Sequence, residues 1–288
     1  MKPALAVAGW LARALFIVLL VVAGSTLLVR FAPGYLSDAR EMDVRYSSAV
    51  RAELTVEAIR TKSYFGLVAA ETSGWARGDA GISRQFGVPV TELLAPRMSV
   101  TGGLLLKSLL LAWAVAISAA IAASAPRKPS WLWQVPVAIL LALPAAAMAT
   151  LCLMSDNGGP ALVLALLIAA RDFKFLCQAL RKVWLDPCIL QARAQGVALH
   201  RMLRWHLLPA IAPQLGPLAS LSIVTALSAI VPVEVLFHVP GLGQLAWNAA
   251  MNRDLPVLLA ITALMALAVM CAGLGRSRAD DSMEWKDA

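Results

Sequence analysis

The stretch SLLLAWAVAISAAIAASAP at residues 108–126 contains no charged residue. Its length is close to the roughly 20 apolar residues that a helix needs to cross a bilayer. A second uncharged stretch, with tryptophans at its edge, follows at residues 131–155, and further apolar runs lie at 14–29, 161–170, 207–233 and 255–275. The pattern predicts an all-α polytopic membrane protein with about six transmembrane helices.

The composition supports this class. Hydrophobic residues make up 60% of the 288 residues and charged residues 15%, whereas soluble domains average roughly 45–50% and about 25%. A disordered chain needs low hydrophobicity and high charge density, so this class is excluded. The four cysteines are too few for a disulfide scaffold and show no metal-binding spacing.

The distribution of basic residues predicts the topology. Many of the Lys and Arg residues lie on one side of the apolar runs. They are Arg127 and Lys128, and those within residues 181–204 and 276–286. Because basic short loops are cytoplasmic, both termini are predicted inside and residues 32–99 outside. The net charge of +8 then requires no nucleic acid partner.

This topology divides the chain into four parts. Residues 1–31 form the N-terminus and first transmembrane helix, and residues 32–99 form an external segment. Residues 100–275 form a core with five transmembrane helices and a cytoplasmic segment at 186–209. Residues 276–288 form a cytoplasmic tail.

The sequence has no recognised catalytic motif. It lacks GxxxxGK[ST], GxSxG, HExxH and any Cys/His cluster, so we predict no enzyme activity, no cofactor and no metal site. One alternative stays open, a membrane-embedded enzyme with Asp172 or Glu234 as its catalytic acid.

Polar residues within the apolar runs are candidates for lining a pathway. Arg171, Lys174 and Gln178 share one helix face, whereas Asp172 is expected to point elsewhere. Arg171 lies roughly 16 Å beyond the turn before its run, near the middle of a bilayer about 30 Å thick. Alternatively the span starts earlier or tilts, and these residues reach the cytoplasmic interface. Glu234 either lines the pathway or marks the outer water boundary.

The segment 186–209 reads DPCILQARAQGVALHRMLRWHLLP. Asp186-Pro187 is typical of a helix start, and Gly196 is typical of a left-handed helix end. A second short amphipathic helix is predicted at residues 197–206. Its apolar side either binds a partner protein or lies on the lipid surface. The PGLG sequence at 240–243 favours a sharp structural turn.

Residues 192–196 (ARAQG) and 206–209 (HLLP) resemble the cytoplasmic loop of ABC importer permeases. The chain is also similar to dipeptide/oligopeptide importer permeases in three further stretches, which occur in that family's order. They are residues 28–34, residues 77–94, and residues 239–256 with their VPGLG and NRDLP sequences. Gln195 and residues 40–75 depart from the family's pattern, which leaves open a membrane receptor or scaffold without transport.

The resemblance implies an inner-membrane permease for peptides or similar small solutes. It implies pairing with a second, related permease as a heterodimer, two ATP-binding subunits that hydrolyse ATP, and an external solute-binding protein. Transport would proceed by ATP-driven alternating access. The residues expected to contact the ATP-binding subunit are Gln191, Ala192, Arg193, Gly196, Val197, Leu199, Arg201, Leu203, Arg204, His206 and Pro209.

Overall fold

The computed structural model describes residues 80–83, 85–124, 131–155, 158–252 and 254–284, with isolated helical positions between 9 and 27. Side chains are not described at 131–132, 199–200 and 274–284. Much of the predicted first span, most of the external segment and the end of the tail therefore lie outside the described residues. The described part is helical, with one isolated β-bridge between Ile82 and Pro89.

The helices follow one another along the chain, and we number them in order. They are α1 (Val90–Ser124), α2 (Trp131–Ala142), α3 (Ala145–Met154), α4 (Pro160–Trp184), α5 (Pro187–Ala194), α6 (Leu199–Met202), α7 (Leu208–Leu236), α8 (Leu242–Met251) and α9 (Leu255–Glu284). A π-helical turn at Leu203–Leu207 joins α6 to α7.

Three described helices are long and apolar enough to cross a membrane. They are α1, the helix through Leu203–Leu236 and the first part of α9. A fourth span is obtained if α2 and α3 count together as one broken span. Helix α4 is long enough, but Arg171, Asp172 and Lys174 interrupt its apolar character. The count of six thus stays a prediction.

Two element boundaries differ from the sequence-based expectation. Helix α1 begins at Val90, well before residue 100, with Glu92 in its first turn, where a carboxylate favours the helix dipole. The uncharged stretch 131–155 forms two helices that bend by 104°. Pro144 lies at the break and has extended backbone angles. Because proline has no N–H, it cannot continue the hydrogen bonding of the preceding helix, and the new helix starts after it.

The chain divides into two compact units. Apart from the isolated positions between 9 and 27, the described part of the first lies within residues 80–96 and 245–268. Val90, Leu245, Val257 and Ile261 are among its core residues. Asp254 is fully buried there and accepts hydrogen bonds from the Ser83 hydroxyl and from the backbone N–H of Gln85, the latter at 3.2 Å. This carboxylate therefore ties the segment before α1 to the start of α9.

The second unit comprises residues 97–244 and residues from 269 onward. Helix α4 packs against α2, α3 and α7 in this unit. Four alanines of α1 (Ala112, Ala116, Ala120 and Ala123) recur at helical spacing and are buried in the same core as α4. Such small residues allow close approach of helices in membranes.

Candidate functional site

The segment 186–209 begins with the predicted helix start. Asp186 caps α5, accepting the Cys188 N–H at 3.0 Å, and Pro187 is the first helical residue. Gly196 ends the helix with φ +76°, the left-handed conformation expected for this position. The N–H groups of Gly196 and Val197 donate to the carbonyls of Arg193 and Ala192 at 3.0 and 3.2 Å. Local sequence therefore fixes a short helix and a tight turn.

The second short helix differs from the predicted 197–206. Regular α-helix covers only Leu199–Met202, and a π-helical turn at Leu203–Leu207 then leads directly into α7. Pro209 explains part of this difference, because it has no N–H to donate to the carbonyl of Trp205. π-Helical turns are frequent at functional sites.

The residues expected to contact an ATP-binding subunit differ in exposure. Most of them lie on the surface: Gln191, Arg193, Gly196, Arg201, Arg204, His206 and Pro209. Val197 and Leu203 are half-buried, and Ala192 is buried. The side chain of Leu199 lies outside the described part. The segment thus presents basic groups to solvent and turns Ala192 into the fold.

Trp184 anchors this segment to the rest of the unit. Its buried indole donates from Nε1 to the Ser124 hydroxyl at 3.2 Å, which joins the end of α4 to the end of α1. The Arg193 guanidinium lies over the Trp184 ring, 5.5 Å from the centroid, within the range of a cation–π interaction. Sequence reasoning missed Trp184 and Ser124, because no local pattern shows which side chains meet at helix ends.

A buried polar network joins α4 to α7. Asp172 is fully buried and accepts from the Ser222 hydroxyl at 2.6 Å. Arg171 pairs with Asp172 at 3.2 Å and donates to the Thr225 hydroxyl. Trp113 of α1 donates to Ser222 at 3.3 Å. Asp172 points away from the exposed face of Lys174 and Gln178, as expected, but its ion pair with Arg171 was not foreseen, because it depends on how closely α7 packs against α4.

The other polar residues of α4 face outward. Lys174 and Gln178 are exposed, and the Arg171 side chain is 27% exposed. Lys174 has no hydrogen-bond or ion-pair partner among the described residues. The three residues of α4 that the sequence predicted to line a pathway therefore differ. Arg171 is bonded to α7, whereas the side chains of Lys174 and Gln178 are exposed and could contact a ligand.

Glu234 is fully buried inside the second unit. Its carboxylate accepts the Thr101 hydroxyl at 2.6 Å and the N–H groups of Gly243 and Gln244 at 2.6 and 3.3 Å. The Thr101 oxygen accepts the Leu242 N–H at 2.8 Å. Glu234 and Thr101 together satisfy the first amides of α8, which otherwise lack partners.

The PGLG turn is built around this carboxylate. A Cβ atom at Gly241 would overlap the Glu234 carboxyl group. A Cβ atom at Gly243 would lie 2.8 Å from Cα of Val231 in α7. The sequence predicted a structural turn here but gave no sign that Glu234 and Thr101 occupy its interior.

Comparison with known proteins places these features in context. A family model described as the binding-protein-dependent transport system inner membrane component matches residues 113–281. The oligopeptide transport system permease protein OppB of Salmonella typhimurium is 26% identical over 213 residues, covering 66% of this chain and 69% of that protein. The protein of the same name in Escherichia coli K12 has the same identity and coverage.

Proposed function

Because the chain belongs to the family of inner membrane components of binding-protein-dependent transport systems, we propose that it is a permease subunit of a peptide importer. The observation that carries this proposal is the family match over residues 113–281, which includes all of 186–209. The name of the OppB relatives supports peptides, or similar small solutes, as the substrate class. As a family member with several apolar helices, the chain is a multi-pass inner-membrane protein.

The proposed assembly contains four further components. This chain pairs with a second, related permease, and two ATP-binding subunits attach on the cytoplasmic side and carry out the hydrolysis. An external solute-binding protein delivers substrate. In this topology about six helices cross the membrane, both termini are cytoplasmic, and residues 32–99 are external. The boundaries 1–31, 32–99, 100–275 and 276–288 belong to the same proposal.

The segment 186–209 is the proposed contact with the ATP-binding subunit. Its exposed basic residues Arg193, Arg201 and Arg204 are directed to solvent, and the segment connects α4 directly to α7. Asp172 and Arg171 bond α4 to Ser222 and Thr225 of α7, so we expect the two helices to move together. A force on 186–209 therefore reaches both helices. ATP binding to one state of the complex shifts the population towards it and produces alternating access.

Lys174, Gln178 and the exposed part of Arg171 are the proposed pathway-lining groups. Glu234 is left out of this set, because it is fully buried and its carboxylate is occupied by Thr101 and the turn before α8. Asp172 is likewise fully buried and bonded. The alternative of a membrane-embedded enzyme gains no support from these two carboxylates.

Affinity purification from detergent-solubilised membranes tests the proposal. The wild-type chain is expected to bring down a second permease and an ATP-binding subunit. Gly196→Pro and Arg201→Glu are expected to lose the ATP-binding subunit and keep the permease. Gly159→Pro is the matched control, because Gly159 is exposed with φ −77° and ψ 166°, angles that proline tolerates.

Two outcomes contradict the proposal. If the wild-type chain purifies alone, a transport complex is not its functional form, and the receptor or scaffold alternative gains support. If Gly196→Pro and Arg201→Glu retain the ATP-binding subunit, the segment 186–209 is not the docking element. It would then lie on the lipid surface.

A further inference from the structure

Helix α4 leaves one polar stripe uncovered by its own unit. Arg171, Lys174, Gln178 and Arg181 recur at helical spacing, and each is exposed or partly exposed. Residues at this spacing lie along one face of a helix. All four side chains offer hydrogen-bond donors, and three of them are cationic. The stripe is therefore a donor-rich, positively charged surface in a membrane protein.

Neither α4 nor α7 offers a carboxylate to this stripe on its exposed side. Asp172 and Glu234 are the only acidic residues of α4 and α7, and both have 0% exposure. Asp172 neutralises Arg171 from the buried side through the 3.2 Å ion pair. Lys174 remains without a counter-charge among the described residues. Among the residues whose side chains the structure describes, the positive charge of Lys174 on this face is therefore uncompensated.

Arg171 is held in place and is not free to reach towards a membrane surface. A lipid-facing arginine extends its flexible side chain towards the headgroups. Here the guanidinium is bonded sideways to Thr225 of α7 and to Asp172. Its Nε is buried and has no hydrogen-bond partner in the described part of the chain. The guanidinium is thus positioned in advance, and the exposed 27% of the side chain, not the buried Nε, is the part that a ligand can reach.

In the proposed six-helix topology α4 crosses the membrane, and the stripe then lies within the depth of the bilayer. Arg171 and Lys174 lie roughly 16 and 21 Å from the start of α4, at about 1.5 Å per residue. A helix that crosses a hydrocarbon core of about 30 Å places both residues inside it. Charged groups at such depth face water or a polar partner.

We propose that Arg171 and Lys174 bind the carboxylate of the transported solute, with Gln178 as an additional donor. The inference rests on the proposed import function and specifies the substrate as one with a free carboxylate, such as the C-terminus of a peptide. The planar guanidinium and the neighbouring ammonium match the two carboxylate oxygens. The site recognises the end of a peptide and makes no demand on its side chains.

The test uses the complete complex in proteoliposomes, with the binding protein saturating and with ATP inside. The probes are trialanine with a free C-terminus and its C-terminal amide, and the readout is the ratio of their initial uptake rates. Lys174→Gln is expected to lower the acid-to-amide ratio about tenfold, the size of one charge-assisted hydrogen bond. Lys182→Gln, an exposed lysine in the last turn of α4, is expected to leave it unchanged. A preference of the binding protein for the acid or the amide affects every variant equally, so it does not alter the comparison of their uptake ratios.

The outcomes are distinguishable. An equal loss of both rates, or an unchanged ratio with Lys174→Gln, overturns the carboxylate site and leaves the import function intact. If the wild-type complex assembles but takes up neither peptide, the proposed peptide transport itself fails. If the ratio is unchanged but Lys174→Gln abolishes a dependence on phosphatidylglycerol in the vesicles, the stripe binds anionic lipid and the proposal is wrong. Loss of the second permease on purification of Lys174→Gln would likewise overturn it, by showing that a protein covers the stripe.

Discussion

The turn before α8 offers a quantitative test of the buried Glu234 network. The perturbation is Gly241→Ala, studied with Glu234→Ala and with the double variant. The three atoms nearest to a methyl group at Gly241 all belong to the Glu234 carboxyl group, and the methyl group would overlap them. In Gly241→Ala the carboxylate must therefore leave its position between Thr101 and the amides of Gly243 and Gln244.

The hydrogen bonds of Glu234 set the size of the expected loss in the free energy of unfolding. Displacement of the carboxylate leaves two backbone N–H groups without their acceptor, at about 1–3 kcal/mol for each buried group. We therefore expect Gly241→Ala to lower the free energy of unfolding by about 2–6 kcal/mol, close to the loss in Glu234→Ala. In the double variant the carboxylate is already absent, so the methyl group adds little. The two substitutions should be non-additive by about 2 kcal/mol or more.

The assay is thermal unfolding in detergent, followed by the fluorescence of the nine tryptophans. Gly243→Ala provides a contrast, because its methyl group meets the backbone of Val231 at 2.8 Å and at 3.1 Å. That clash should remain in the Glu234→Ala background. Gly102→Ala is the control, because this helical glycine has nothing within 4 Å and alanine there gains roughly 0.5–1 kcal/mol.

Two results would refute this reasoning. If Gly241→Ala and Glu234→Ala lower the unfolding temperature additively, the methyl group does not act through the carboxylate. If Gly241→Ala is as stable as Gly102→Ala, the carboxylate does not fill the interior of the turn.

Three further substitutions test other parts of the structure. Gly196→Ala forces a side chain into the left-handed conformation at about 1–2 kcal/mol, so it should weaken co-purification of the ATP-binding subunit, whereas Gly159→Ala should not. Asp172→Ala leaves the guanidinium of Arg171 without its ion pair, which costs about 3–5 kcal/mol for a buried pair, so the yield of folded chain in size-exclusion chromatography should fall. If Asp172→Ala gives the same yield of folded chain as the wild type, the ion pair does not stabilise the fold. Ser83→Ala removes one hydrogen-bond donor to the buried Asp254, which should destabilise the fold by about 1–3 kcal/mol. Limited proteolysis within residues 80–96 should therefore become faster, and an unchanged rate would contradict the role of Asp254 in holding this segment.

Much of the helical architecture was predictable from local sequence. Charge-free runs indicated α1 and α7, because their apolar character is a property of consecutive residues. The start of α5 at Asp186-Pro187 and its end at Gly196 followed from hydrogen bonding within a few residues. The break at Pro144 was less apparent, because membrane helices also contain proline without breaking, as α7 does at Pro213 and Pro217.

The side-chain partners were not predictable in the same way. Thr101 and Glu234 are 133 residues apart, Ser124 and Trp184 are 60 apart, and Arg171 and Thr225 are 54 apart. Each pair meets because two helices pack at a particular angle and offset. A sequence pattern specifies the face of one helix but not the neighbour that covers it. The buried position of Glu234 was missed for this reason.

The sequence by itself therefore determined the class of the protein, the helical segments that make it a membrane protein, and the short motifs that identify its family. These depend on composition and on hydrogen bonds between near neighbours. Only the tertiary structure decided which polar groups are used internally and which remain available. Asp172 and Glu234 are hydrogen-bonded inside the fold, while Lys174 is left exposed. The physical reason is that burying a charge requires donors from several helices at once, and their positions exist only after the helices have packed.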